Sequence, residues 1–220
     1  MDYSEFKCRW IDSKELWEKA DRVREEYWPD NKLPINTEKI VEFGLRLDIE
    51  PIHNLLSTID IDAYLKMDLT GIVVDYDCYM NEKFANRMRF SFAHELGHLF
   101  LHRDIYTKLD VTSSEEWKNF ILNVPENEYR SFEWQANEFA GRLLVPHLHL
   151  AVEVNKANEV IRENNLITFL KTDSDAVLSG ISPMLCRPFG VSTDVIEIRV
   201  KREGLWPPSE VLENGFINES

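Results

Sequence analysis

The spacing of hydrophobic positions changes several times along the chain, and each spacing predicts a different element of secondary structure. Over residues 13–28 apolar side chains recur at steps of three and four, which indicates an amphipathic helix that ends before Pro29. A shorter helix is expected to begin at Asn36 or Thr37, because both are good N-caps, and to run towards Leu45. The N-terminal part of the chain is therefore predicted to be helical.

The middle of the chain predicts a small sheet. Segments 47–52, 59–65 and 71–79 are rich in Ile, Val and Tyr and are separated by Pro, Asn, Ser and Asp. Helical spacing then returns in residues 84–103, 114–122 and 128–145, and Pro146 stops the last of these. From residue 147 to about residue 204 the chain is again predicted to be mostly helical. Helices on both sides of a central sheet predict an α+β fold.

Size and composition predict one globular domain with a tail. A chain of 220 residues with 44% hydrophobic and 11% aromatic residues can bury a full core. We expect a single domain over residues 1–206, made of an N-terminal helical extension (1–35), a core (36–146) and a C-terminal helical part (147–206). Residues 207–220 are a polar tail that is expected to fray.

The charge and the cysteines narrow the class of protein. A formal net charge of −14 at pH 7 disfavours binding to a phosphate backbone, so no nucleic acid partner is expected, whereas basic partners are easier to attract. The alternative is that the acidic residues only keep the protein soluble. Cys8, Cys78 and Cys186 have no CxxC spacing and are expected to be reduced thiols. Neither a secretory signal nor a stretch of about 20 apolar residues is visible, so we expect a cytoplasmic protein without a membrane partner.

One string in the predicted helix 84–103 has the spacing of a metal site. His94 and His98 stand four residues apart around Glu95, and on a helix this spacing places both imidazoles on one face, about one turn apart. Zinc binds imidazole nitrogen, and a catalytic zinc site has three protein ligands and one open position. The two histidines therefore need a third ligand.

Two residues compete for the third position. His102 continues the series, but it lies about 12 Å along the helix axis from His94, too far for three rings to meet one ion. It is expected to interact with the helix dipole or to pack nearby. Glu133 is the better candidate, because small residues such as Ala136 share its face of the predicted helix 128–145 and would allow two helices to approach closely. The ordinary alternative for Glu133 is a solvated helical carboxylate.

Two neighbouring residues support a close approach of these helices. Gly97, inside the HExxH string, costs about 0.8–1 kcal/mol in a helix relative to Ala, a penalty expected where another element must come close. Asn137 stands one turn after Glu133 and is a candidate to hydrogen-bond a ligating side chain from outside.

A site of two imidazoles and one carboxylate predicts hydrolysis. One zinc ion there would keep a net positive charge and would activate water, and Glu95 is the expected general base. A peptide substrate is expected to add a strand to a sheet edge within residues 59–79. The group that stabilises the oxyanion is left open among four candidates, which are Arg87, Tyr129, His147 and His149.

Two blocks of the sequence resemble a known family. The first is residues 87–98, RMRFSFAHELGH, and the second is residues 133–140, EWQANEFA, followed by LLVP at residues 143–146. Both blocks resemble the ImmA/IrrE family of metallopeptidases, and residues 189–200 are similar to its closing helical segment. The similarity spans roughly residues 47–206.

This resemblance implies a zincin-like fold, in which a small twisted sheet packs against the HExxH helix and a second helix that bears a glutamate. It implies zinc bound by His94, His98 and Glu133, with Glu95 as the catalytic residue. It also implies a protein substrate such as a repressor or an antitoxin, in bacterial or phage regulation. The helix over residues 13–28 has no counterpart in the family pattern. The segment 114–122 is specific to this chain and is a candidate to shape the cleft.

Two other functions stay open. One is a binding module of the same fold that is catalytically silent or is activated by its partner. The other is DNA binding through residues 182–204, where Gly190 separates two helices in the manner of a helix-turn-helix. The four basic residues of this segment are offset by three acidic ones, so core packing is its favoured role.

Overall fold

The computed structural model describes residues 3–109 and 114–208. In chain order its α-helices are α1 (Ser13–Tyr27), α2 (Thr37–Lys39), α3 (Leu55–Ile59), α4 (Tyr76–Tyr79), α5 (Ala85–Leu101), α6 (Arg103–Tyr106), α7 (Ser114–Asn123), α8 (Glu126–Leu144), α9 (His147–Glu163), α10 (Ile167–Thr172), α11 (Ser174–Cys186) and α12 (Thr193–Arg202). The strands are β1 (Asp48–Ile52), β2 (Ala63–Leu65) and β3 (Gly71–Asp75), and single turns of π or 3-10 helix cover Ile40–Gly44, Glu82–Phe84 and Arg187–Phe189. A mostly helical chain with a small mixed sheet confirms the predicted α+β fold.

The described residues fall into two compact units, which divide between Leu143 and Leu144. The first unit contains the sheet and the helices as far as α8, and the second contains α9 to α12. The prediction that residues 1–206 form a single domain stays a prediction. Most of the predicted polar tail, residues 209–220, lies outside the described residues. Within the described ranges, no helix combines the length and the apolar character needed to cross a lipid bilayer.

The two N-terminal helices form where the sequence predicts them. Asp12 caps α1 by accepting hydrogen bonds from two backbone N–H groups of the first turn. The apolar residues Leu16, Ala20 and Val23 lie on the buried face of α1, as their spacing of three and four requires. Asn36 caps α2 in the same way, with its side-chain oxygen 2.9 Å from the Lys39 nitrogen.

Polar contacts join α1 to α8. The Asp21 carboxylate accepts hydrogen bonds from the Arg142 guanidinium, at 3.0 and 3.1 Å from Nε and at 2.6 Å from Nη2. The Trp17 indole N–H donates to Glu138 Oε1 at 2.6 Å. The N-terminal helix therefore helps to position α8, which carries Glu133.

The sheet has the strand order β1, β3, β2. β1 runs parallel to β3, and β2 runs antiparallel to it with Ala63 opposite Val74 and Leu65 opposite Ile72. Every residue of β3 is buried, and this central strand has a neighbour on each side. β2 has a neighbour on one side, so it is an edge strand of the sheet.

The predicted strands over residues 59–65 and 71–79 are too long. The first begins only at Ala63, after the helical turn α3, and the second ends at Asp75, where α4 begins. Asp75 accounts for both helical turns, because its carboxylate accepts hydrogen bonds from the backbone N–H groups of Leu56 and Cys78, each at 3.0 Å. These caps override the strand propensity of the Ile and Tyr residues nearby.

The second unit contains the segment that is similar to a helix-turn-helix in sequence. Gly190, between α11 and α12, has φ 60°, a left-handed conformation that glycine adopts without steric cost. Arg199 of α12 is 1% exposed and pairs with Glu203, and Lys201 lies 2.8 Å from Asp175. Because Arg199 is buried and paired within its own unit, it is not available to contact a phosphate backbone.

Candidate metal centre

The HExxH string lies in α5 with both histidines on the same side of the helix. The Nε2 atoms of His94 and His98 lie 3.0 Å apart, as the spacing of four residues predicts. The side chain of His98 is 2% exposed and that of His94 is 15% exposed. The pair therefore lies at the buried face of α5, with His94 nearer to solvent.

Gly97 allows α8 to approach α5 closely. A Cβ added to Gly97 would lie 2.9 Å from the Cα of Ala136 and 3.0 Å from its carbonyl oxygen, so any side chain would collide with the backbone of α8. The close approach predicted from Gly97 and from the small residues of α8 is confirmed. It brings a carboxylate oxygen of Glu133 to 3.2 Å from Nε2 of His94, and the other to 3.6 Å from Nε2 of His98.

The three side chains fit the coordination geometry of zinc. Zinc bonds to nitrogen and oxygen are about 2.0–2.1 Å long, so tetrahedral ligand atoms lie about 3.3 Å from one another. The three separations of 3.0, 3.2 and 3.6 Å lie around that value. Ligand atoms of His94, His98 and Glu133 form a group that could hold one metal ion. The Glu133 side chain is 27% exposed, so the group of three is open to solvent on that side.

Each histidine has a hydrogen-bond partner on its other ring nitrogen. Nδ1 of His94 lies 3.0 Å from the side-chain oxygen of Asn137, which can only accept, so this nitrogen carries the hydrogen. Nδ1 of His98 lies 3.0 Å from Nδ1 of His102. Both rings therefore have their Nε2 atoms directed towards the candidate metal position, as ligating histidines require.

His102 stands outside this group of three. It is 2% exposed, and burial, followed by the neighbouring His98, lowers its pKa to about 3. The sequence predicted that His102 interacts with the helix dipole or packs nearby, and the structure shows packing, because its ring centroid lies 4.3 Å from that of Phe132. Nε2 of His102 lies 3.1 Å from the side-chain oxygen of Gln135.

Charges within the group shift the pKa values in opposite directions. Burial by itself lowers the pKa of His94, but the hydrogen bond to Glu133 and the charges of Glu95 and Glu133 raise it to about 9. Burial lowers the pKa of His98. Burial by itself raises the pKa of Glu133, but hydrogen bonds from His94 and His98 outweigh it and lower this pKa. Glu133 is therefore an anion, the form in which a carboxylate binds metal.

Glu95 is buried beside the same group. Its Oε2 atom accepts a hydrogen bond of 2.8 Å from the backbone N–H of Leu65 in β2, and its side chain is among the buried charged groups of the protein. Burial is the largest of the causes that raise the pKa of Glu95 to about 7. A carboxyl group with a pKa near neutrality can both accept and return a proton at neutral pH.

Three of the four candidates for oxyanion stabilisation are paired with another side chain or belong to the second unit. Arg87 pairs with Asp62. His147 and His149 belong to the second unit, where Nδ1 of His147 lies 2.7 Å from Oε2 of Glu203.

Two tyrosines interact with the carboxylates. Tyr129 stands one turn before Glu133 in α8, and burial, followed by the charge of Glu133 and a hydrogen bond to it, raises the Tyr129 pKa. Tyr106 of α6 is 1% exposed, and its hydroxyl has no hydrogen-bond partner among the described residues. Burial, followed by the charges of Glu95 and Glu133, raises the Tyr106 pKa. Tyr129 is therefore the oxyanion candidate that contacts the metal-site carboxylate.

Comparison with known proteins identifies the family. Residues 79–201, more than half of the chain, match the family model of peptidase M78, described as the IrrE N-terminal-like domain. The chain belongs to the ImmA/IrrE family of metallopeptidases. The matched range is shorter than the span of residues 47–206 expected from the sequence. A comparison with curated proteins and one with solved structures found no match.

Membership of the ImmA/IrrE family confirms the zincin-like fold and supports a metallopeptidase-type function. The family is of the zinc metallopeptidase type, and a peptidase family implies a protein substrate. Both candidate metal blocks, residues 87–98 and 133–146, lie within the matched range.

Sequence analysis found Asn137, which lies 3.0 Å from Nδ1 of His94, but it missed the other partners that surround the candidate ligands. The contact of His102 with His98 could have been predicted, because a spacing of four residues places both side chains on the same face of α5. The sequence did not indicate the contacts of Gln135 and of the Leu65 backbone N–H, since these contacts depend on how α8 and β2 pack against α5. Tyr106 lies beyond the end of α5, in a helical turn whose direction only the fold determines.

Proposed function

We propose that this protein is a zinc-dependent endopeptidase in which His94, His98 and Glu133 hold one zinc ion and Glu95 is the general base. The observation that carries the proposal is the spacing of 3.0–3.6 Å among the side chains of His94 and His98 on α5 and of Glu133 on α8, beside Glu95. The Glu133 side chain is partly exposed, and the chain belongs to a peptidase family. Both observations support a catalytic rather than a structural metal site.

Each residue of the site would have its own role in peptide hydrolysis. When bound, zinc lowers the pKa of a coordinated water and polarises the scissile carbonyl. The Leu65 N–H holds one oxygen of Glu95, which leaves the other oxygen to take a proton from the attacking water. Glu95 then returns this proton to the leaving amine as the C–N bond breaks.

An extended substrate would bind along β2. The backbone of Asp62 and Lys66 bonds to β3, so the alternate residues Ala63 and Leu65 turn their backbone groups away from the sheet. The N–H of Leu65 already donates to Glu95, so a peptide would pair with the Leu65 carbonyl and with the backbone groups of Ala63. A peptide added as a strand to this edge would therefore pass directly beside the general base.

The substrate class we propose is a regulatory protein such as a repressor or an antitoxin, which membership of the ImmA/IrrE family favours. The net charge of −14 favours a target with basic segments, because opposite charges raise the rate of encounter.

Cleavage of the protein encoded by the neighbouring gene tests this proposal. We expect mass analysis after incubation to find one cut, and a chelator to abolish it. We expect one zinc ion per chain in the wild type and none in His98→Ala or Glu133→Ala. Full zinc retention in Glu133→Ala would require another third ligand. Zinc binding without any cleavage would favour the catalytically silent or partner-activated binding module.

A further inference from the structure

A line of hydrogen bonds leads from the candidate metal site to the N-terminal segment, and it is buried between His98, His102 and Gln135 and partly buried at Arg9. Nδ1 of His98 lies 3.0 Å from Nδ1 of His102, and Nε2 of His102 lies 3.1 Å from the side-chain oxygen of Gln135. The Gln135 amide nitrogen donates to the backbone oxygen of Arg9 at 2.8 Å. We call these four groups the buried relay. His98, His102 and Gln135 are 2%, 2% and 0% exposed, so solvent water cannot replace a hydrogen bond that is lost between them.

The donor and the acceptor of each hydrogen bond in the buried relay can be assigned by starting from the Arg9 carbonyl. The Arg9 carbonyl can only accept, so the Gln135 amide turns its NH2 group to Arg9 and its oxygen to His102. That oxygen can only accept, so the hydrogen of a neutral His102 is on Nε2 and its lone pair is on Nδ1. His98 must then donate from Nδ1, which leaves the lone pair of His98 on Nε2, the atom that faces Glu133 and His94.

Phe132 holds both imidazoles of the buried relay in place. Its ring centroid lies 4.2 Å from that of His98 and 4.3 Å from that of His102, with 30° between the planes in each case. Phe132 is itself 0% exposed. A ring flip of either histidine would break the buried bonds described above without a compensating partner.

The anchor of the buried relay lies outside the part of the chain that matches the ImmA/IrrE family model. Arg9 precedes the matched residues 79–201 by a long stretch of sequence. The neighbouring Cys8 fixes this segment on α8, because its backbone N–H donates to Oε2 of Glu128 at 2.9 Å. The N-terminal segment thus completes a network that begins at a metal-site histidine.

We infer that His102 and Gln135 are positioning residues that hold His98 in the tautomer able to bind metal, with the Arg9 carbonyl as their anchor. This inference rests on the proposed role of His98 as a metal ligand. Partners of this kind typically change metal affinity by about 10–100-fold when they are removed.

Two substitutions of His102 separate positioning from packing. His102→Leu fills the space but offers no acceptor to Nδ1 of His98, whereas His102→Asn leaves a cavity but keeps an oxygen near the position of Nδ1. We expect His102→Leu to weaken zinc affinity of the full chain about 10–100-fold, and His102→Asn to recover most of it. Affinity is measured by competition with a chromophoric chelator. A packing role alone would reverse the order, with Asn weaker than Leu.

Thr37→Val is the matched control. It removes a different, partly buried hydrogen bond to α5, from the Thr37 hydroxyl to the Arg89 backbone oxygen at 3.1 Å, and we expect zinc affinity to stay at the wild-type value. Absence of zinc binding by the wild type would overturn the proposed metal site and this inference together. Binding that is lost in His98→Ala but unchanged in His102→Leu would overturn this inference alone.

A measurement on the unmodified protein covers the case in which the variants fail to fold. Nitrogen-15 NMR of the metal-free full chain reports which ring nitrogen of each histidine carries hydrogen. We expect hydrogen on Nδ1 of His98, and on Nε2 but not on Nδ1 of His102. Hydrogen on Nε2 of a neutral His98, or on Nδ1 of His102, would overturn the inference.

Discussion

Gly97 and Ala136 meet with no room for a side chain between them, since a Cβ on Gly97 would lie 2.9 Å from the Ala136 Cα and 3.0 Å from its carbonyl oxygen. Both of these are backbone atoms of α8, so the helix itself would have to move to accept a larger residue. Because α8 carries Glu133, this contact also governs the distance between that carboxylate and the two histidines.

We expect Gly97→Ala to lower the free energy of unfolding by about 1–3 kcal/mol through overpacking. Alanine should instead stabilise a helix by about 1 kcal/mol where space is free. Gly180→Ala in α11 is the matched control, because a Cβ there has nothing within 4 Å. Urea unfolding measures both variants, and zinc titration should find weaker binding in Gly97→Ala. Similar stabilisation of the two variants would contradict the close contact.

Glu95→Gln should keep zinc and lose peptide cleavage. The glutamine oxygen can still accept the hydrogen bond from Leu65, but an amide cannot take a proton from water. We expect the cleavage rate to fall by at least about 10²-fold, with the metal content unchanged by elemental analysis. Cleavage at the wild-type rate would remove Glu95 from the role of general base.

Zinc should stabilise the folded protein, because a metal that binds only the folded state shifts the unfolding equilibrium. At a free concentration of about 1,000 times the Kd, the gain is about 4 kcal/mol. We expect thermal unfolding followed by circular dichroism to show a higher Tm with zinc and reversal by a chelator. The same increase in His98→Ala and Glu133→Ala would place the metal elsewhere in the protein.

The contact between Asp21 and Arg142 should make stability depend on pH. Burial by itself raises the pKa of Asp21, but hydrogen bonds from Arg142 and Arg24 outweigh it, so the pKa is lowered in the folded protein. Such a carboxylate stabilises the fold above its unfolded pKa of about 3.9, and the contribution is lost as the pH falls through the lower folded value. We expect Asp21→Asn to lower the free energy of unfolding by about 1–3 kcal/mol at pH 7.

Urea unfolding over a series from pH 7 to pH 3 measures this dependence. The difference between wild type and Asp21→Asn should begin to shrink below about pH 4, where the Asp21 carboxylate of the unfolded chain gains a proton, and should continue to shrink towards the lower pKa of the folded protein. Asp30→Asn is the control, since it removes an exposed carboxylate 3.6 Å from Lys32 and should change stability little. A difference that stays constant over the whole series would contradict the role of the Asp21 charge.

The strands were harder to predict than the helices. The period of three and four residues in α1, α5 and α8 corresponds to faces that the fold buries, because a helix needs no distant partner for its hydrogen bonds. The ends of β2 and β3 depend instead on Asp75, whose carboxylate reaches back to Leu56, nineteen residues earlier in the chain. Apolar and aromatic composition alone cannot indicate that contact.

The sequence by itself determined that His94 and His98 share one face of a helix and that Glu133 lies beside small residues, since the period of a helix is a property of the local backbone. Only the tertiary structure decided that Glu133 reaches both rings, that Leu65 contacts Glu95, and that Gln135 links His102 to Arg9. These contacts join residues far apart in the chain. Their distances depend on how helices, strand and N-terminal segment pack together, and no spacing along the sequence encodes that packing.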